Sequence, residues 1–297
     1  MDALPIGVVT ALVTPMRDGK LDEVGLQSML ERQISQKISA VVMAGTTGEV
    51  STLEDAEYAK LLEMTVKIAA GRLFLMAGTG SNATATAIRR TQLAEKLGYD
   101  AVLVVAPYYN KPSKDGILAH YSAIATSTGL PIVPYSIPSR CGIEIALDTL
   151  CQLHERHPQI CGLKEAGTDC DRIAQLRHTL GHSFRLYAGN DTLLLPFLAS
   201  GADGTICAAA NACPEGFIKV LQLALANDFM AARAVQFSLL PLLRALGCEV
   251  NPVPLKFVLQ ELGFIASAEV RAPLAPLAAA NAKLVRAALQ TYLANRA

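Results

Sequence analysis

A lysine inside a short apolar run is the residue of this chain best suited to covalent chemistry. Lys164 lies in residues 160–166, a run that is typical of a buried strand. Strands of an all-parallel sheet are covered on both faces, so burial is expected to lower the pKa of this lysine. A neutral amine attacks carbonyl groups and can form a Schiff base. The alternative is a core lysine paired with a carboxylate, because structural ion pairs also perturb such groups.

A glycine-bounded pair of threonines follows another apolar run. In Gly45-Thr46-Thr47-Gly48-Glu49 the small residues expose backbone N–H groups, and the two hydroxyls of Thr46 and Thr47 add donors. Such a turn suits a carboxylate. The alternative is an ordinary glycine turn.

Two further runs end in aromatic and basic residues. One run ends in Pro107-Tyr108-Tyr109-Asn110, and the next ends in residues 135–140, which include Tyr135 and Arg140. A phenol at a strand end can shuttle protons, although packing in a core or an interface is the alternative for each tyrosine. Arg140 is a candidate bidentate clamp for a carboxylate, or else a solvated surface charge.

Alternating strands and helices are indicated along most of the chain. Amphipathic stretches separate eight apolar runs, which are typical of strands buried on both faces. They are 7–15, 40–45, 73–80, 101–109, 131–138, 160–166, 185–190 and 204–211. Eight such units predict an α/β fold of the (β/α)8 TIM-barrel type. An open doubly wound sheet is less favoured, since no Gly-x-Gly-x-x-Gly turn follows the first strand.

The barrel is expected to occupy residues 1–224, and a C-terminal helical domain residues 225–297. Helices are predicted near 228–246, 253–263 and 277–294, separated by glycine and proline. Thr52-Leu53-Glu54-Asp55 resembles a capping box that opens an earlier helix.

The predicted barrel brings the reactive residues to one rim. Active sites of these barrels lie at the carboxyl ends of the strands. Lys164, Tyr135, Thr46, Thr47 and Arg140 all belong to such ends, and Gly189 and Ile206 would line the wall. Together they describe a Schiff-base site for a small α-keto acid.

Composition and charge argue against two classes of partner and against a disulfide-rich or membrane-spanning protein. The 297 residues carry no net charge, which argues against nucleic acid or an anionic membrane as a partner. Seven scattered cysteines and five histidines suggest neither a disulfide framework nor a metal site, and free thiols are expected in a reducing cytoplasm. The N-terminus lacks the features of a signal peptide. The longest apolar stretch, near 193–202, is too short to span a bilayer.

The motifs in order resemble the pyruvate-dependent class I aldolase and lyase family, which includes N-acetylneuraminate lyase. The likeness runs nearly end to end. It rests on residues 45–49, 107–112, 135–140, 162–166 and 251–256. Arg140 and the Asn-Pro-Val-Pro segment at 251–254 favour the members that condense pyruvate with L-aspartate 4-semialdehyde in lysine and diaminopimelate biosynthesis. A sister sugar-acid aldolase and a catalytically inactive keto-acid sensor remain the alternatives.

The resemblance implies a role for each site residue. Lys164 would form the imine with pyruvate, Thr46 and Thr47 would hold its carboxylate, and Arg140 would bind the second substrate. Tyr135 would be the acid and base, in a proton relay with Thr46 and with Tyr109 from a neighbouring subunit. The resemblance further implies a homotetramer built as a dimer of dimers, with no metal or organic cofactor.

Some positions depart from the family pattern. Pro134, Ser136 and Cys141 are unusual beside Tyr135 and put the second substrate in doubt. Members inhibited by lysine bind it through histidines and a glutamate, whereas this chain has Asp55, Tyr58 and Thr86 at the matching positions. Asn82 and Tyr108 remain as effector-site candidates, so the resemblance implies weak or absent feedback by lysine.

Overall fold

Eight parallel strands form a closed barrel in this computed structural model, which describes residues 4–295. Residues 1–3, on which part of the signal-peptide prediction rests, and residues 296–297 lie outside the described residues. The barrel order is β1-β10-β9-β8-β7-β6-β5-β4, and β2 and β3 form a separate antiparallel hairpin. The strands are β1 (Gly7–Ala11), β2 (Met16–Arg17), β3 (Lys20–Leu21), β4 (Ala40–Met43), β5 (Phe74–Gly78), β6 (Ala101–Val105), β7 (Ile132–Ser136), β8 (Gly162–Glu165), β9 (Arg185–Ala188) and β10 (Gly204–Cys207).

Helices alternate with the barrel strands and then continue to the end of the described chain. They are α1 (Glu23–Ser35), α2 (Asp55–Ala69), α3 (Thr84–Lys96), α4 (Lys114–Ala125), α5 (Pro138–Cys141), α6 (Leu147–Arg156), α7 (Cys170–Leu180), α8 (Leu194–Ala199), α9 (Pro214–Leu225), α10 (Phe229–Leu246), α11 (Val253–Glu261) and α12 (Ala279–Ala294). Short 3-10 helices lie at Val50–Thr52, Asp191–Leu193 and Ala209–Asn211. The predicted (β/α)8 barrel with C-terminal helices is confirmed.

Every predicted strand run contains one barrel strand, but the paired strand is shorter than the run. The apolar run at 101–109, for example, contains only Ala101–Val105 as strand. The remainder continues as a loop toward the barrel rim, so Tyr108 and Tyr109 lie beyond the strand rather than at its end. In this continuation Ala106 and Pro107 are buried, whereas Tyr108 is half-buried and Tyr109 is exposed.

The predicted capping box is displaced by two residues. The N-cap of α2 is Glu54 and not Thr52, and its side chain and that of Glu57 bond each other's backbone N–H groups. Thr52 ends a 3-10 helix instead, and its hydroxyl donates to the Glu49 carbonyl oxygen at 3.0 Å. A glutamate carboxylate can take the N-cap role that the sequence pattern assigned to the threonine hydroxyl.

The chain divides into two compact units, which do not coincide with the predicted division at residue 224. One unit comprises residues 4–6 and Phe74–Ile206, the other Gly7–Leu73 and residues 207–295. The predicted helical domain at 225–297 remains a prediction. In the first unit, β5 to β9 pair in sequence, with α3 against α4 and α4 against α6. In the second, β1 pairs with β4, and α10 packs against α9 and α12.

Helix α10 is the most apolar long helix. By length and composition it could cross a membrane, with a mean hydropathy of 1.3, and 33% of it is buried. The sequence predicted this helix near 228–246, as the structure has it, but placed the longest apolar stretch near 193–202, because Arg233 and Arg244 interrupt the apolar residues of α10. Buried helices of globular proteins pass the same test, and α9 and α12 pack against α10.

Candidate active site

Lys164 and Tyr135 lie side by side on neighbouring strands. They are register partners in the parallel pair of β7 and β8. Both are buried, with 6% and 5% of their surface exposed. Lys164 Nζ lies 4.2 Å from the centroid of the Tyr135 ring, within range of a cation–π contact. The expected burial of a lysine in the strand of 160–166 is therefore confirmed.

Gly189 leaves the space that the Lys164 side chain occupies. It follows β9 directly, and a Cβ built on it would lie 3.0 Å from Lys164 Cε. The same atom would lie 3.0 Å from the Glu165 carbonyl oxygen and 2.8 Å from Ala166 Cβ. Backbone cannot yield as a flexible side chain can, so glycine is required here for steric reasons. Gly189 thus does more than line a wall: it sets how closely β9 approaches the lysine.

The neighbouring carboxylate, Glu165, is engaged away from Lys164. Successive strand residues point to opposite faces. Glu165 is 1% exposed; its Oε2 accepts from Arg172 Nε at 2.8 Å and its Oε1 from the Gly167 N–H at 2.6 Å. Arg172 also donates to the Ile145 carbonyl oxygen at 2.5 Å. This buried pair ties the end of β8 to α7, and sequence reasoning missed it.

Tyr135 is a phenol that stays protonated. Burial raises the pKa of Tyr135 well above its usual range, and the positive charge of Arg140 opposes that rise. The negative charges of Asp191 and Glu165 add to it. A protonated phenol next to an amine can donate a proton, which is the first step expected of an acid and base at this position.

Arg140 lies on a short helix rather than at a strand end. It is the third residue of α5, and its side chain is exposed. The next residue, Cys141, is buried and donates from Sγ to the Ala106 carbonyl oxygen at 3.3 Å. Burial raises the pKa of the Cys141 thiol to about 11, so it stays neutral beside Tyr135. The α5 segment thus presents a cation outward and an uncharged thiol inward.

The unusual residues around Tyr135 fit the strand without breaking it. Pro134 lies opposite Val104 in the register of β6 and β7, and the pairing continues to Tyr135. Ser136 is fully buried, and its Oγ accepts from the Ile145 N–H at 3.5 Å. Pro134 and Ser136 therefore leave the pairing of β7 with β6 and β8 intact.

Tyr109 points into solvent. Its side chain is 89% exposed, and its backbone is left-handed with a φ of 72°. An exposed aromatic ring on a strained backbone is a feature of contact surfaces more than of loops that only connect. The proton relay between Tyr109 and Tyr135 therefore stays a prediction.

The remaining predicted residues of the same unit are placed as follows. Ile206 is fully buried in β10. Asn82 and Tyr108, the effector-site candidates, are half-buried. The Asn82 carbonyl oxygen accepts from Asn110 Nδ2 at 2.9 Å, which joins the loops that carry these two residues.

The second unit carries the Thr46–Thr47 turn. Thr47 is 3% exposed and Thr46 half-buried, three to four residues after β4 ends. Asn251 Nδ2 donates to Thr47 Oγ1 at 3.0 Å, and Thr14 Oγ1 donates to the Gly48 carbonyl oxygen at 2.7 Å. Because Asn251 uses Thr47 Oγ1 as an acceptor, the hydroxyl proton of Thr47 is left to donate to an anion.

Sequence reasoning missed the groups that hold this turn. Glu49 and Lys256 form a buried ion pair, with Oε1 and Nζ 2.5 Å apart. Lys256 belongs to the segment 251–256, which sequence analysis used for the resemblance alone. The signal was a lysine in the otherwise apolar start of α11, the same kind of signal that singled out Lys164.

Metal binding finds no support in the described part of the chain. No group of three or more histidine, cysteine, aspartate or glutamate side chains in residues 4–295 could hold a metal ion. All seven cysteines are free thiols.

Comparisons with known proteins agree with the resemblance. The model of the Dihydrodipicolinate synthetase family matches residues 4–292. The 4-hydroxy-tetrahydrodipicolinate synthase of Exiguobacterium sibiricum is 42% identical over 272 residues, which is 91% of this chain and 91% of that protein.

Solved structures are equally similar. That of the 4-hydroxy-tetrahydrodipicolinate synthase from Methylacidiphilum fumariolicum SolV has a TM-score of 0.96 and 43% identity, and covers 98% of this chain and 97% of its own. The structure of DHDPS from Cyanidioschyzon merolae with lysine bound has a TM-score of 0.94 and 34% identity, and covers 97% of this chain and 98% of its own. A family model that spans nearly the whole chain, together with relatives above 40% identity over nine-tenths of it, places this protein in the Dihydrodipicolinate synthetase family.

Proposed function

We propose that this protein is a lyase that condenses pyruvate with L-aspartate 4-semialdehyde to give 4-hydroxy-tetrahydrodipicolinate, a step of lysine and diaminopimelate biosynthesis. The names of its relatives support this activity. The observation that carries it is the buried amine of Lys164 against the ring of Tyr135, with Gly189 leaving room beside it.

The reaction begins at Lys164. Its amine attacks the C2 carbonyl of pyruvate, and loss of water gives an imine. Loss of a proton from C3 turns the imine into an enamine, which attacks the aldehyde carbon of the second substrate. The amine of that substrate then attacks the imine carbon, displaces Lys164 and closes the ring. Lys164 is regenerated when the ring closes. The scheme uses no metal or organic cofactor.

Tyr135 moves the protons in this scheme. It lies beside Lys164, and burial holds its phenol in the protonated form. It can therefore donate to the oxygen that leaves C2 as water and later accept the proton that C3 loses. The rise in its pKa makes a free phenolate rare, which favours concerted transfer over prior ionisation.

The two carboxylates are assigned to separate groups. Thr46 and Thr47 receive the carboxylate of pyruvate, since the turn offers N–H groups and a hydroxyl proton that Asn251 leaves available. Arg140 receives the carboxylate of aspartate semialdehyde, since its guanidinium is exposed and its charge already acts on Tyr135.

Self-association completes the proposal. Tyr109 is 89% exposed and could reach a second copy, which fits the homotetramer and the shared relay that the resemblance implies. A cytoplasmic location fits a chain with free cysteines and a biosynthetic substrate.

A coupled assay with pyruvate and aspartate semialdehyde tests the activity. N-Acetylneuraminate and 2-keto-3-deoxy sugar acids serve as competing substrates. Borohydride trapping with pyruvate should add the mass of the reduced adduct at Lys164, and Lys164→Ala should lose both trapping and turnover. Preferred cleavage of a sugar acid would instead assign the sister aldolase activity, and the absence of trapping would favour a keto-acid sensor.

A further inference from the structure

The turn that carries Thr46 and Thr47 is bounded by two strained residues. Ala44 has a φ of 53° and Glu49 a φ of 55°, both in the left-handed region that residues other than glycine rarely adopt. A Cβ on Gly48 would lie 3.2 Å from the backbone of Ala44 and 3.2 Å from Thr14 Oγ1, so the turn is also tightly closed. Strain of this kind persists only where surrounding groups hold it.

The groups that hold Glu49 are buried and charged. Lys256 Nζ lies 2.5 Å from Glu49 Oε1, and the side chains are 0% and 2% exposed. The Arg271 N–H donates to Glu49 Oε2 at 2.9 Å, and Lys256 Nζ also donates to the Glu269 carbonyl oxygen at 2.7 Å. Both carboxylate oxygens of Glu49 are therefore fixed by groups from the C-terminal segment 251–271.

The same segment also contacts the substrate-binding hydroxyl. Asn251, five residues before Lys256, donates to Thr47 Oγ1 at 3.0 Å. Asn251, just before α11, and Lys256, within it, thus contact the turn at Thr47 and at Glu49. A displacement of residue 49 would be passed to Thr47, because only Gly48 separates them.

Stability alone is a poor account of this ion pair. Replacing a buried ion pair by apolar side chains of similar volume is often neutral or stabilising. An apolar pair would lack the contact between the Glu49 carboxylate and the Lys256 ammonium group, which attaches a residue of left-handed backbone to a fixed cation. The consequence of the pair is therefore geometric.

We propose that Glu49 and Lys256 are positioning residues, whose buried ion pair holds residue 49 in the left-handed conformation and thereby orients Thr46 and Thr47 toward the carboxylate of the keto acid. This inference rests on the proposed function for the identity of the ligand, pyruvate. The geometric part, that the pair holds the turn, is independent of it.

Two double variants separate backbone geometry from charge. Both variants contain Lys256→Met, which is combined with Glu49→Gly in one and with Glu49→Ala in the other. Each removes the ion pair and leaves no unpaired buried charge. They differ in one respect: glycine adopts a positive φ without strain, and alanine does not. We expect the Glu49→Ala double variant to raise the KM for pyruvate at least about fivefold, with the KM for aspartate semialdehyde unchanged. The Glu49→Gly double variant should recover most of the affinity for pyruvate.

A matched control accounts for lost stability. Val258→Ala truncates a fully buried residue of α11 without touching the pair, and should lower the melting temperature while leaving the KM for pyruvate unchanged. Equal KM values for pyruvate in the two double variants would overturn the inference. A change in kcat without any change in the KM for pyruvate would overturn it too.

Crystal structures of the two double variants decide the geometric part even where pyruvate proves not to be the substrate. In the Glu49→Ala form, residue 49 should leave the left-handed region and the contact between Thr47 and Asn251 should open. In the Glu49→Gly form both should persist. An unchanged turn in the alanine form would contradict the inference, whereas failure of the parent to trap pyruvate would contradict the proposed function.

Discussion

Lys164 and Tyr135 face each other across β7 and β8, with the lysine Nζ 4.2 Å from the centre of the tyrosine ring. The amine therefore rests on the ring face, and the phenol oxygen lies at the ring edge. Two effects on Lys164 oppose each other there. Burial disfavours the ammonium form, whereas the negative face of the ring favours it. Under the proposed function the ring and the hydroxyl of Tyr135 have separable roles, packing for one and proton transfer for the other.

Tyr135→Phe tests that separation. The ring, and hence the contact with Lys164, is kept, while the proton donor is lost. We expect kcat to fall about a hundredfold or more, which is the usual contribution of a positioned acid or base. Borohydride trapping of pyruvate should still go to completion, although more slowly. Steady-state kinetics and the time course of trapped adduct by mass spectrometry measure the two effects.

Tyr121→Phe is the matched control for Tyr135→Phe. Tyr121 is also fully buried, and its hydroxyl donates to the Val104 carbonyl oxygen at 2.9 Å. Its removal should cost about 1 kcal/mol of unfolding free energy and leave kcat within a few-fold of the parent. An equal loss of kcat in both variants would mean that the loss in Tyr135→Phe is not specific to proton transfer, whereas an unchanged kcat in Tyr135→Phe would mean that Tyr135 acts through its ring alone.

Gly189→Ala tests the space beside Lys164. The added methyl group would lie 3.0 Å from Lys164 Cε and 3.0 Å from the Glu165 carbonyl oxygen. Lys164 or β8 must then shift by a few tenths of an ångström, and a misplacement of this kind is costly for a reaction that depends on alignment. We expect the rate of imine formation to fall at least about tenfold. Gly247→Ala is the control for the handling of a glycine variant, because its φ is -91° and the added Cβ would lie 3.4 Å from the Arg244 carbonyl oxygen, an ordinary contact; its rate of trapping should be that of the parent.

The barrel could be predicted because its strands are buried on both faces. Each strand reads as an apolar run, and β8 could be located although it contains Lys164. The hairpin of β2 and β3 could not, because strands of two residues have no periodicity. The four-residue helix α5, which carries Arg140, was missed for the same reason.

The site was predictable in part. Lys164 and Tyr135 stand out as polar groups at the ends of apolar runs. Lys256 gives a similar signal at the start of α11, but its pairing with Glu49 could not be predicted, because 206 residues separate the two along the chain. A pair so distant becomes visible only when the fold brings its members to 2.5 Å. Gly189 was likewise predicted only to line the wall, because its distance to Lys164 Cε cannot be obtained from the sequence.

Arg140→Ala separates the two substrates. The guanidinium is exposed on α5, so its loss should leave the fold and the trapping of pyruvate intact. A charge-assisted hydrogen bond contributes about 1.5–3 kcal/mol, so we expect the KM for aspartate semialdehyde to rise at least about tenfold. Arg156→Ala removes an equally exposed charge from α6 and is expected to have no effect. Full activity of Arg140→Ala with aspartate semialdehyde would refute the assignment of this carboxylate clamp.

Feedback by lysine is expected to be weak or absent. Two of the matching positions cannot offer the groups that bind lysine in inhibited members. Tyr58 is 1% exposed, so its side chain is not available at the surface of this chain, and Asp55 replaces a histidine with a carboxylate. Activity at saturating pyruvate should change less than about twofold in millimolar lysine, a free-energy difference of under 1 kcal/mol. The Cyanidioschyzon merolae protein, whose structure has lysine bound, is the reference for lysine binding, and a loss of more than about twofold in the activity of this protein in millimolar lysine would contradict the expectation.

The burial of His120 leads us to expect a loss of stability in mild acid. It is 4% exposed, its Nδ1 lies 2.9 Å from Thr84 Oγ1, and its buried Nε2 has no hydrogen-bond partner in the described part of the chain. Burial lowers the pKa of His120 to about 4, whereas a histidine of an unfolded chain titrates near pH 6.5. Between these values the unfolded state binds more protons, so the free energy of unfolding decreases as the pH falls from about 6.5 to about 4.

The size of this effect follows from the shift. A difference of about 2.5 pKa units corresponds to a contribution of at most about 3 kcal/mol to the free energy of unfolding. This contribution is present in full above about pH 6.5 and is lost by about pH 4. Urea unfolding at several pH values should show that slope in the parent. His120→Gln cannot titrate and should flatten it, whereas His178→Gln, at an exposed position of α7, should not. Because carboxylates titrate in the same range, the informative quantity is the difference between each variant and the parent. An identical slope in the parent and His120→Gln would show that this histidine is not the group responsible.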